Sequence, residues 1–201
     1  EFLGKDGSRN VDAVITTDEL THMLKEAGIL LNEIDPEPVD HPYDNASGAA
    51  VIFGVTGGVT EAVLRNVVKD KSRSALMKLS NVGERGNEGL KIFELTTEDG
   101  VGLRIGVASG LANAEKLLGM LKNGEKFDII EIMACPGGCV AGGGQPFVHA
   151  EVRKTRGKGL YDTDRMLSIR HSESNASVQA LYDRLLKGRE HELLHVHYKK
   201  K

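Results

Sequence analysis

The sequence is poor in the residues that build self-sufficient metal or disulfide scaffolds. Two cysteines among 201 residues exclude a disulfide framework. They also exclude any four-cysteine zinc or iron–sulfur site held by this chain alone. Tryptophan is absent, and four tyrosines with five phenylalanines are the whole aromatic complement. Charge of one sign is not in excess: 26 Lys and Arg face 29 Asp and Glu, a net −3. This balance implies no general attraction to nucleic acid or to a membrane surface. Long apolar runs are missing as well. The longest stretch free of Asp, Glu, Lys and Arg, residues 132–150, contains five glycines and two prolines and cannot form a bilayer helix. The first ten residues hold no apolar signal region and no initiator methionine. A cytoplasmic chain, trimmed or cut from a longer one, is the expectation; a periplasmic location stays open.

What is present suffices for a folded core, with 40% hydrophobic and 27% charged residues. The charge is divided unevenly. Residues 151–201 carry 12 basic and 7 acidic groups, against 14 and 22 in residues 1–150. The chain thus divides into an acidic body, 1–150, and a basic extension, 151–201, which either docks on the body or presents a solvated face.

Alternating strand and helix patterns run along the body. Residues 11–17, VDAVITT, read as a short apolar strand. Thr17 or Asp18 then caps a helix with Leu20, Met23, Leu24 and Ala27 on one face and Gly28 at its end. Residues 32–48 hold three of the five prolines and read as a loop. An apolar run broken by glycines, 48–59, leads into a helix over 60–70 capped by Thr60. Strands at 90–97 and 101–109 flank Glu98-Asp99-Gly100, a hairpin signature. A helix ended by Gly124, a buried-type strand over 127–135 and a helix over 176–188 complete the pattern. The fold class expected is α/β, with a mixed or parallel sheet flanked by helices and a helical C-terminal extension.

Chemistry concentrates in residues 131–146, EIMACPGGCVAGGGQP, where nine of the sixteen residues are Cys, Gly or Pro. Both cysteines lie here as Cys-x3-Cys, and the loop leaves the carboxyl end of a strand, where α/β sheets form ligand crevices. Five glycines let the main chain approach a bulky ligand and aim N–H groups at it. A tight structural turn with two small cysteines, or a regulatory dithiol, are the simpler alternatives. A metal or cluster is the reading favoured by the combination. Two thiolates fall short of four ligands, so histidines, a second copy or polypeptide outside this chain would complete the set.

The run MACPGGCVAGGGQP resembles the third signature motif of the iron-only (di-iron) hydrogenases. VDAVITTDEL, SGAAVIFGVTGGVTEAVLR, RHSESNASVQALY and REHELLHVHYKKK agree with that family in order, the last with a segment that is a separate small subunit in some members. The resemblance covers essentially the whole chain and only the C-terminal part of the family's catalytic domain. It implies an H-cluster, a 4Fe–4S cubane joined through a cysteine thiolate to a di-iron unit carrying CO, cyanide and a dithiolate. Cys135 would match a cubane ligand and Cys139 the ligand shared with the di-iron unit. Met133 would pack beside that unit, and Phe53 and Gly54 would line the pocket of its diatomic ligands. The activity implied is reversible reduction of protons to dihydrogen, with electrons from ferredoxin, an NAD-linked partner or another carrier.

The family's other cubane cysteines, its proton-donor cysteine and its cyanide-binding lysine have no counterpart in this sequence. Half an active site is therefore expected, inactive alone and without an intact H-cluster, its partner being the upstream lobe of the same subunit. A Cys135–Cys139 disulfide would require Cα atoms within about 7 Å. The alternative is a non-catalytic relative that assembles iron–sulfur clusters or senses hydrogen. Other signals are weaker. HELLH at 191–195 matches the zinc-protease pattern but lacks a third ligand nearby. GVTGGV at 54–59 is neither a Walker nor a dinucleotide fingerprint. His149 reads as an ordinary histidine, and Glu61 with Arg65 as a solvated i,i+4 pair.

Overall fold

A computed structural model describes residues 7–9, 11–38, 40, 46–67, 89–97, 99–147 and 149–195. The hairpin forms where the turn signature placed it. Strand β1 (Leu90–Thr96) pairs antiparallel with β2 (Gly102–Ser109), Leu90 opposite Ala108 and Thr96 opposite Gly102. Gly100 turns the chain at φ +79°, a left-handed conformation that costs glycine little. Helix α4 (Leu111–Lys122) then crosses back to β3 (Ile129–Met133), which lies parallel to β2 with Ser109 opposite Met133. The sheet is mixed, in the order β1-β2-β3.

Period-two alternation along β2 sends its side chains to two cores. Ile105 and Val107 pack with Leu64 of helix α3 (Gly58–Val67) on one face. Ala108 packs with Ala114 and Leu117 of α4 on the other. The chain is thus α/β, with helices on both faces of the sheet. A third core joins α3 and the single turn α2 (Gly48–Val51) to helix α5 (Ala150–Met166) through Ala49, Ile52, Val55, Ala62 and Tyr161. No helix among the described residues is long and apolar enough to cross a membrane.

Several elements depart from the sequence pattern. Residues 11–16 form no strand, and Val14 is 88% exposed. An apolar segment becomes a strand only by pairing its main chain with a neighbour, and none of the described strands takes it. Its end serves helix α1 (Thr17–Glu26) instead, with Thr16 as cap. The Thr16 hydroxyl accepts the Glu19 N–H at 3.2 Å, and the Glu19 carboxylate accepts the Thr16 N–H at 2.7 Å. Those bonds from Thr16 hold the Glu19 carboxyl below its ordinary value. The helix closes at Gly28, φ +70°, as expected, but its apolar face stays open, with Leu20 44% and Met23 54% exposed. Thr16→Ala is expected to cost about 1 kcal/mol of local stability. Faster amide exchange confined to α1 would register that loss, and unchanged exchange would deny Thr16 its capping role.

Helix α3 begins at Gly58, so Thr60 lies inside it rather than capping it; its continuation beyond Val67 falls outside the described residues. Helix α5, 17 residues long, was not legible in the charge-rich sequence of the extension. Its exposed side is laced by the pairs Glu151–Lys154, Lys158–Asp162 and Asp162–Arg165. Helix α6 (Ala176–Asp183) stops five residues before the expected end at 188. The chain bends there, and Leu186 becomes buried. HELLH runs through the short helix α7 (Glu190–Leu194) to His195 just beyond its end, and His191 and His195 stand ring edge to ring face. Glu192 is bound by Arg189, and no three His, Cys, Asp or Glu side chains converge among the described residues.

Candidate metal centre

Strand β3 delivers the chain into the cysteine loop, whose shape is set by its glycines. Pro136 and Gly137 occupy the centre of a turn closed by Gly138 N–H donating to Cys135 O at 3.0 Å. Gly137 has φ +87°, the conformation that a type II turn demands after proline. A short 3-10 turn, Cys139–Ala141, carries the second cysteine, and Gly142 N–H donates back to Cys139 O at 3.1 Å. Gly142 stands at the meeting point of the two cysteines. A Cβ there would lie 3.4 Å from Cys135 Sγ and 3.6 Å from Cys139 Cα. Cys135 is half-buried, Cys139 is exposed, and both are free thiols.

A second wall stands against this loop. Residues Ile52–Gly54 form a 3-10 turn, and Thr56 N–H donates to Gly137 O at 3.4 Å. Gly138, at φ +90°, presses main chain to main chain on that wall: a Cβ would lie 2.7 Å from Gly54 O and 2.8 Å from Thr56 N. Gly54 is filled in turn by Leu160 of α5, whose Cδ1 lies 2.7 Å from where a Cβ would stand. Phe53 remains exposed beside it, and Met133 ends β3, half-buried. The structure therefore brings Gly54 and the Cys135–Cys139 loop together. Phe53 and Met133 sit in the adjoining segments.

Buried polar groups that sequence reasoning passed over hold the two walls. Ser109 Oγ accepts the Gly137 N–H at 2.9 Å and the Thr56 hydroxyl at 3.4 Å. Glu131 on β3 accepts three bonds, one from Gly57 just before α3 and two from Thr60 in its first turn. The half-buried Arg156 of α5 adds a bond to Val140 O at 3.2 Å. Glu131 carried one signal: a carboxylate on the same strand face as Ile129 and Met133 needs partners if that face is covered.

The pair Glu61–Arg65 is not solvated. Arg65 is fully buried and donates through Nη2 to Glu61 at 2.8 Å. It also grips Asp164 of α5 with both Nη atoms, at 2.8 and 2.9 Å, while Arg170 Nη2 closes on the same carboxylate at 2.5 Å. Burial opposes the charged form of each group, yet the mutual hydrogen bonds prevail. Asp164 is held below the ordinary carboxylate range and Arg65 above the ordinary guanidinium value. Two cations and two anions cancel, which allows the cluster to sit inside the protein. Its partners lie far apart in the sequence, so helix spacing alone showed only the local half. His149, by contrast, is an exposed residue preceding α5.

Two free thiols in a glycine notch suit one side of a large sulfide-rich cluster. They do not complete a zinc or cubane site, each of which takes four ligands. Among the described residues no third ligand stands near.

Residues 1–143 match the family described as iron-only hydrogenase large subunit, C-terminal domain, and residues 150–201 match iron hydrogenase small subunit. The chain is 42% identical to the NADP-reducing hydrogenase subunit HndD of Solidesulfovibrio fructosivorans, over 98% of this chain and 34% of that one. It is 32% identical to cytosolic iron-sulfur assembly component 3 of Rattus norvegicus, over 95% of this chain and 42% of that one. Among solved structures, an FeFe-hydrogenase from Chlamydomonas reinhardtii superposes with a TM-score of 0.67 at 35% identity, covering 98% of this chain and 58% of that one. The chain thus spans between about a third and three fifths of the length of these relatives. A free-thiol pair in a glycine cradle at a strand end, and two family matches that together run almost from end to end, place this chain in the iron-only hydrogenase family, as the C-terminal part of the large subunit followed by the small-subunit segment.

Proposed function

We propose that this chain forms one wall of the hydrogen-activating site of an iron-only hydrogenase that reversibly reduces protons to dihydrogen. The observation that carries the reading is the main-chain contact of Gly138 with Gly54 and Thr56, which sets the cysteine loop beside the Phe53–Gly54 segment. Cys135 would bind the cubane and Cys139 would bind both parts of the H-cluster. Met133 would pack beside the di-iron unit, and Phe53 with the main chain at Gly54 would line the pocket of its diatomic ligands. When bound, that cluster would relay electrons from the carrier and supply the metal at which hydrogen is handled. The protein's own contribution here is positional: two thiolates, a main chain that can approach closely, and buried bonds that keep both walls in register.

The opposite wall, with the remaining ligands and the proton donor, would come from the upstream lobe of the same subunit. Residues 1–150 act as the C-terminal lobe and 151–201 as a small-subunit-like extension locked onto it through Asp164. Electrons would arrive from ferredoxin or an NAD-linked carrier.

A second reading, a non-catalytic iron–sulfur assembly or hydrogen-sensing protein, has the similarity to the rat assembly component in its favour. The higher identity to the HndD subunit favours the enzyme. A proton-donor cysteine in the upstream sequence separates the two, its presence favouring the enzyme.

The complete subunit, expressed with its maturation machinery, is expected to evolve hydrogen, and Cys139→Ala to abolish that activity and lower bound iron. Full activity in Cys139→Ala would remove the role given to that thiol. The 201-residue chain by itself is expected to hold no intact cubane, and iron analysis finding about four irons per chain would contradict this.

A further inference from the structure

We propose that Glu131 is a positioning residue, whose buried carboxylate clamps the segment carrying Phe53 and Gly54 onto the strand that ends at Met133 and leads into Cys135. The inference rests on the hydrogenase reading and concerns a residue that neither ligates the cluster nor lines its pocket. Glu131 is 7% exposed in the middle of β3, the one charged residue of a strand reading IIEIM. Oε1 accepts the Gly57 N–H at 2.6 Å. Oε2 accepts the Thr60 N–H and the Thr60 hydroxyl, both at 2.7 Å.

Those three donors belong to the start of α3, directly after the 53–56 wall. Met133 and Cys135 come after Glu131 along the same run of chain. The carboxylate therefore spans the two elements that meet at the cysteine notch. A residue that only satisfied the helix end would ordinarily come from the helix's own N-cap. This one comes from another element, 71 to 74 residues away, so it fixes where α3 begins relative to β3. The short bonds to a carboxylate and the positive end of the α3 dipole compensate its burial. Ser109 makes the matching tie from β2, accepting from Gly137 of the loop and Thr56 of the wall. Outer groups of this kind hold metal ligands in their working orientation.

The test uses the complete subunit, with and without its cluster. Glu131→Gln replaces one accepting oxygen by an amide nitrogen, Thr60→Val deletes a donor, and Thr60→Ser restores it. In the loaded protein, Glu131→Gln is expected to lower turnover about ten- to a hundredfold. It is also expected to shift and broaden the infrared bands of the CO and cyanide ligands. Thr60→Val should move them less and in the same sense, and Thr60→Ser should return them to the parental positions. Parental bands in Glu131→Gln, or a turnover loss that merely tracks the folded fraction, would overturn the proposal. In the metal-free protein, Glu131→Gln should speed amide exchange at Gly57 and Thr60 by about tenfold or more, with the β1–β2 hairpin unchanged. Equal protection at those amides would overturn it too. A parental subunit that takes up no iron and shows no such bands would instead sink the hydrogenase reading, and the metal-free arm would still decide the clamp.

Discussion

Asp164→Asn is expected to destabilise the chain by about 3–5 kcal/mol, the cost of breaking a buried ion pair from one side. Asp164 is fully buried and receives Arg65 through two nearly equal bonds as well as Arg170. Asparagine keeps one accepting oxygen but leaves two cations facing the single carboxylate of Glu61. Gly48 closes one side of the carboxylate, since a Cβ there would lie 2.0 Å from Asp164 Oδ1. Against the roughly 5–15 kcal/mol that separates folded from unfolded domains, the loss is large. A drop in the urea midpoint with an unchanged slope would report it. A midpoint shift worth no more than about 0.5 kcal/mol, the size of an ordinary surface change, would show that the cluster does not hold α5 in place.

The same residue sets a pH dependence. Burial would raise the Asp164 carboxyl, but the bonds from Arg65 and Arg170 hold it below its ordinary value. Its stabilising contribution is therefore complete above the unfolded pKa of about 3.9 and is lost as pH falls through the lower folded value. The parent should lose stability steeply below about pH 4, and Asp164→Asn should lose less over that interval. Arg65, raised above its ordinary value, stays charged throughout.

Gly138→Ala is the second change of large expected effect. Its φ of +90° is strained for any residue with a Cβ, at about 1–3 kcal/mol. The added carbon would also drive into Gly54 O and Thr56 N, both main-chain atoms that cannot rotate away. Overpacking of that kind adds about 1–3 kcal/mol. Relief can come only by parting the cysteine loop from the 53–56 wall. The complete subunit should therefore lose bound cluster as well as thermal stability. Gly143→Ala is the control, because nothing lies within 4 Å of its would-be Cβ. Equal cluster content and melting temperature in both variants would show that the Gly138 contact does not set the spacing of the walls.

Much of this architecture was legible one segment at a time. Gly28, Gly100 and Gly124 each mark an observed end or turn with positive φ, and the hairpin and the β3 strand stand where their patterns put them. Local readings failed where the outcome depended on a distant partner. VDAVITT has strand chemistry but no neighbouring strand among those described. Thr60 resembles a cap but is drawn into the helix, where Glu131 takes its N–H and hydroxyl. Glu61 and Arg65 have the spacing of a surface pair, yet Asp164, 99 residues beyond Arg65, makes them interior.

By itself, the sequence determined the α/β pattern, the glycine turns and a cysteine loop able to hold only part of a metal centre. Those depend on backbone preferences and residue chemistry within a few positions. Tertiary structure alone decided which charges are buried and how the loop meets its opposing wall. Burial of Glu131, Arg65 and Asp164 is tolerable only because their partners arrive from elements 71 to 99 residues away, and no local pattern encodes that arrival.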